Sequence, residues 1–136
     1  MHTVNFEEAL ERILAEETRF HRNAYTFIRE GLDYTVQRLQ KPRKGSKRHV
    51  SGRELLDGLR IYSLEQLGPM AKTVFNRWGI HTTHDIGEMV FILVRHGILG
   101  KTDEDRMEDF DGGFDFDEAF RRPFQPKSRR RHLEPV

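Results

Sequence analysis

Apolar residues return every three or four positions through most of the first hundred residues, the spacing of a buried helix face. Phe6, Ala9, Leu10, Ile13 and Leu14 form the first stripe, and Asn5 with Glu8 supplies a capping-box start. After a break at Thr18–Arg22, Asn23 is the expected cap of a second helix. Its buried face carries Tyr25, Ile28, Leu32, Val36 and Leu39, and Pro42 and Gly45 end it. Ser51-Gly-Arg-Glu54 opens a third helix with Leu55, Leu56, Leu59 and Tyr62 inward. Gly68-Pro69 restarts the chain, since proline suits a first helical turn, and Met70, Val74 and Trp78 predict the inner face of a fourth helix. Gly79 is a natural left-handed stop. Thr82 or Thr83 then caps a fifth helix reaching about Arg95, apolar on most sides and therefore central, with Gly97 closing it.

Beyond Gly100 the pattern dissolves. Thr102-Asp-Glu-Asp105 has the spacing to open a short helix, Asp111-Gly-Gly113 is a turn, and acids and phenylalanines fill the rest. The expected architecture is mainly all-α: a compact bundle of about five helices over 1–100, with a basic loop at 41–49. An acidic-aromatic arm follows at 101–122, packed on the body or on a partner, and then a basic, disordered tail at 123–136.

Composition sharpens this division. Only 36% of the 136 residues are hydrophobic while 33% are charged, so the core must be concentrated in the periodic part. The net charge of +1 conceals three blocks. Seven Lys/Arg and no acid lie between Arg38 and Arg53; nine acids and one base lie between Asp103 and Glu118; six bases and no acid lie between Arg121 and Arg131. Such segregation bears on partners rather than on fold. The chain has no cysteine, which excludes disulfides, thiolate metal sites and cysteine nucleophiles. No apolar leader follows Met1, and the run Met89–Val94 is far too short to span a membrane. A cytoplasmic protein without a membrane partner is the expectation.

Several motifs together carry a resemblance. His49-Val-Ser-Gly-Arg-Glu-Leu-Leu56, Leu67-Gly-Pro69, Trp78-Gly-Ile80 and Asp85-Ile-Gly-Glu88 are among them. Gly97-Ile-Leu-Gly-Lys-Thr102 and Phe114-Asp-Phe-Asp-Glu-Ala-Phe120 complete the set. Over about residues 5–124 the chain resembles an uncharacterised conserved protein family of planctomycete and verrucomicrobial bacteria. The resemblance implies a complete stand-alone protein with the acidic-aromatic segment as part of the family pattern. It implies no activity.

Candidate chemistry is sparse. The order helix, Gly79 turn, helix, then a hairpin at Asp111-Gly-Gly113 allows a winged-helix-like second half. The fifth helix would then read DNA, but it offers only Glu88, Arg95 and His96 among apolar side chains, and an acidic wing repels phosphate. Lys41, Arg43, Lys44, Lys47 and Arg48, with Lys127, Arg129, Arg130 and Arg131, suit RNA, DNA or a ribosomal surface better, because cations neutralise phosphates without reading sequence. The plainer and preferred reading of the same residues is a solvated loop and tail, or pairing with the acidic block. Phe110, Phe114, Phe116 and Phe120 either anchor in a groove on a partner or cover the chain's own helices.

Metal and catalytic readings are weaker. The arm acids miss the EF-hand spacing, with Glu108 where a glycine is required. His81, His84 and Asp85 are two histidines and a carboxylate without a closed ligand set. For His49 and Ser51 nothing supplies an orienting acid or a strained nucleophile turn, and Ser51 already caps a helix. Gly97–Thr102 ends like a phosphate loop but is too short. No catalytic residue, metal ligand or cofactor is assigned, and oligomeric state is left open. The expected function is a non-enzymatic interaction or adaptor module that binds another protein or a ribonucleoprotein. Phosphate-backbone binding through the basic segments is the alternative, and a metal-dependent or other enzyme the second.

Overall fold

Local hydrogen bonds set where each helix begins in the computed structural model, which describes residues 5–40 and 49–126. Helix α1, Phe6–Glu16, starts where the Asn5 side chain accepts from the Glu7 amide at 2.8 Å. Helix α2, Arg22–Arg38, is capped by His21 and not by Asn23: the Nδ1 of His21 accepts from the Asn23 amide at 3.0 Å. Helix α3, Gly52–Leu67, has a full capping box. The Ser51 hydroxyl accepts from the Glu54 amide at 3.1 Å, and Glu54 accepts from the Ser51 amide at 3.0 Å. Helix α4, Ala71–Trp78, follows a short 3-10 turn at Gly68–Met70. Helix α5, Thr83–Arg95, opens on a second capping box between Thr82 and Asp85. The chain is a mostly helical, all-α bundle, with no strand among the described residues.

Helices α2 and α3 make the most extensive contact in the bundle. Their axes approach closely because glycines stand at the crossing. The Leu59 side chain fills the space beside Gly31, and Thr35 fills the space beside Gly58. Thr35 and Ser63 are buried, yet each hydroxyl donates to the carbonyl one turn earlier, Gly31 at 2.7 Å and Leu59 at 2.6 Å. Around this pair, Leu10, Ile13, Tyr25, Ile28, Met89 and Leu93 form a core that excludes solvent almost completely.

The inner face of α4 differs from its expected one. Ala71 and Phe75 are buried, whereas Met70 is 54% exposed and Val74 and Trp78 are half-buried. Phe75 decides the helix's rotation because its ring meets Phe27, Phe116 and Phe120 at centroid distances of 5.8, 5.7 and 5.3 Å. Gly79 closes α4 at φ +89°, and a side chain there would run into the Arg19 carbonyl of the α1–α2 linker.

The arm lies on the body. Phe110, Phe116 and Phe120 are buried and Phe114 is half-buried, so these rings are spent within the chain itself and do not stand out as anchors for a partner. Phe110 sits over Gly87 of α5, where a side-chain carbon would come within 2.6 Å of it. The buried Thr83 hydroxyl donates to the Phe110 carbonyl at 2.6 Å and accepts from the Gly113 amide at 3.1 Å. Asp111–Gly113 is therefore pinned as a turn, which removes the hairpin a wing would need. Thr102–Asp105 likewise forms a turn instead of opening a helix; only 3-10 and π turns follow, over Met107–Phe110, Asp117–Arg121 and Arg122–Phe124. No helix among the described residues is long and apolar enough to cross a membrane.

Candidate functional site

Apolar side chains at the edge of the core, most of them only partly buried, converge at the start of α3. Helix α2 turns Leu32 and Val36 toward this region, and Val50 and Leu55 approach it from the α3 end. Helix α5, apolar on more sides than its neighbours cover, adds Val90, Phe91 and Val94. Ile98 and Leu99 follow from the loop after Gly97, and Phe110 closes the floor from the arm. Between them lies an open cleft of about 470 Å³. Ligand pockets commonly run from about 300 to 1,000 Å³ with mainly apolar walls, so the cleft is of binding-site size.

The mouth is polar. His49 stands beside Asp105, its Nε2 lying 3.0 and 2.8 Å from the two carboxylate oxygens. Asp105 is held from its own side by the Thr102 amide at 2.8 Å, while its amide donates back to the Thr102 carbonyl at 3.1 Å. Burial pushes the Asp105 carboxyl up, but the Thr102 amide and the His49 ring outweigh it and leave the group below its ordinary value. Asp109 also lines the cleft and accepts from the Arg106 amide at 3.2 Å. Among the described residues Lys101 is the lysine on the lining, and its ammonium donates to the Thr102 carbonyl at 3.1 Å.

This arrangement supplies His49 with the orienting acid that the sequence lacked nearby. Asp105 is 56 positions away, and only the return of the arm brings it to the ring. The spacing Thr102 to Asp105 reads in sequence as the start of a short helix, and nothing local points to His49 as the partner of Asp105. The Ser51 hydroxyl accepts from the Glu54 amide, and among the described residues no hydroxyl is hydrogen-bonded to the His49 ring.

The other sequence candidates fall elsewhere. Lys41, Arg43, Lys44, Lys47 and Arg48, and Lys127, Arg129, Arg130 and Arg131, lie outside the described residues. His81 and His84 separate: the Nδ1 of His81 pairs with the Asn76 side chain at 3.1 Å, and His84 bridges Asp111 at 2.6 Å and Glu88 at 3.2 Å. Among the described residues, no three histidine or carboxylate side chains converge as a metal site.

His84 instead fastens the arm to α5. The hydrogen bond to Asp111 raises its pKa above the ordinary 6.5; desolvation opposes this, and the charges of Asp111, Glu88 and Asp85 add to the rise. A raised histidine stabilises fully below pH 6.5, and its contribution disappears as pH climbs through the folded-state value. The Tm difference between wild type and His84→Gln should therefore be present at about pH 6 and gone by about pH 9. A difference that is constant with pH would detach His84 from this role.

The chain matches no protein-family model, no curated protein and no solved structure.

Proposed function

We propose that this chain is a non-enzymatic binding module whose working site is the cleft at the start of α3, where apolar side chains of another protein are received. One observation carries the reading: a cleft of about 470 Å³ with walls of aliphatic and aromatic side chains stands open at the surface of a packed bundle. Leaving that much apolar wall in water has a free-energy cost, and contiguous exposed apolar surface is characteristic of interaction sites. The polar mouth supports binding over catalysis. His49 and Asp105 hold each other, Asp109 and Ser51 hold local turns, and none of these bonds activates a nucleophile.

A neutral solvatochromic dye tests the reading. Wild type should take it up with a blue shift. Val94→Asp, which places a carboxylate on the half-buried face of α5, should weaken uptake by about tenfold or more, since burying an unpaired charge is costly. Circular dichroism and Tm verify that the variant folds, and Val90→Asp provides a second wall position. Equal uptake by folded wall variants and wild type would remove the cleft as the site.

A further inference from the structure

We infer that the occupant of the cleft is a basic amphipathic segment of a partner protein, seating aliphatic side chains between α2 and α5 with a lysine or arginine against Asp105 and Asp109. The inference rests on the binding-module reading above and adds the chemistry of the partner. Its ground is the character of the polar mouth, which offers acceptors. Asp105 and Asp109 both line the cleft as carboxylates. Asp105 is joined to His49 Nε2 at 3.0 Å, which places its carboxylate at the mouth beside Asp109.

The arm's own charge agrees; the basic run Lys41–Arg48, which leads into His49, lies outside the described residues. From Lys101 to Asp109 the chain carries five acids against Lys101 and Arg106, and Asp103, Glu104 and Glu108 are exposed beside the mouth. Lys101 is the opposing cation, but it is exposed and engages the Thr102 carbonyl. An apolar ligand ending in a carboxylate would meet two carboxylates on entry. A lysine or arginine meets their attraction instead, and its long methylene stem lies on apolar wall while its head stays at the wet rim. The cleft's volume accommodates a few aliphatic side chains, which is the anchor-in-groove mode of an amphipathic helix.

The test uses the full chain and three short labelled peptides: leucine and lysine at helical spacing, leucine and glutamate at the same spacing, and serine and lysine. Fluorescence anisotropy should show binding of the leucine–lysine peptide, about tenfold or more weaker binding of the leucine–glutamate peptide, and none of the serine–lysine peptide. Asp109→Asn, which keeps an acceptor for the Arg106 amide, should weaken the leucine–lysine peptide by a larger factor than it changes uptake of the neutral dye. Asp105→Asn is the second rim variant and should behave alike. Equal affinity for the two leucine peptides, or indifference to both rim variants, overturns the inference. So does a dimer in sedimentation without peptide that Val94→Asp dissolves, because the occupant is then a second copy. Dye uptake without lysine preference sinks only the partner chemistry; dye and peptide binding that ignore the wall variants sink the binding module itself.

Discussion

Phe120→Ala is expected to destabilise the whole chain by about 3–5 kcal/mol, the range for emptying a large buried aromatic site. Phe120 is only 1% exposed although it belongs to the arm. Its ring stacks against Phe75 of α4 at 5.3 Å and against Phe114 and Phe116 of the arm at 5.6 and 5.3 Å. It also lies in the same cluster as Phe27, Ile28, Leu59 and Ile80 of the body. Truncation would leave a cavity between arm and body that neither can fill without moving Phe75. A urea titration followed by far-UV and aromatic signals should therefore show one coincident transition at lower midpoint. An arm that melts alone, with the body's midpoint unchanged, would show that the two parts are energetically separate.

Gly58→Ala should destabilise although alanine normally gains about 1 kcal/mol over glycine inside a helix. A methyl group at Gly58 would overlap the Thr35 hydroxyl and lie 2.8 Å from the Thr35 Cβ and Cγ2. Thr35 is buried on α2 and fixed by its bond to the Gly31 carbonyl, so relief requires α2 and α3 to move apart. Overpacking of this kind costs about 1–3 kcal/mol, which exceeds the propensity gain over most of that range. In a Thr35→Ala background two of the three clashing atoms are gone, and the penalty should shrink. The double-mutant cycle measures that coupling. A Gly58→Ala protein more stable than wild type would refute the close crossing.

The successes and misses of the sequence reading have physical origins. The capping box at Ser51–Glu54 is closed by residues three apart, so the residue types alone announce it, whereas at α5 they left Thr82 and Thr83 as alternatives and the structure closes a box between Thr82 and Asp85. The cap of α2 was misplaced because a histidine ring nitrogen caps only as a neutral tautomer, and Asn23 is the commoner capping type. The face of α4 was misread because Met70, Val74 and Trp78 are as hydrophobic and as regularly spaced as Ala71 and Phe75. The choice between them fell to Phe116 and Phe120, some forty residues downstream.

The cleft is the extreme case of that dependence. Its walls come from α2, the start of α3, α5 and the arm, and Leu32, Val36, Leu55 and the α5 residues read as ordinary core in their own segments. Helix periodicity, caps and glycine stops rest on interactions within one turn of chain, and so five helices in this order are written locally. Which apolar residues are left over once the helices pack depends on crossing geometry, here the glycines at 31 and 58 and the seating of Phe110 over Gly87. The pairing of His49 with Asp105 depends on the same long-range closure. Local pattern established the bundle and its segregated charge; only packing turned part of one helix face into a wall and two arm carboxylates into its rim.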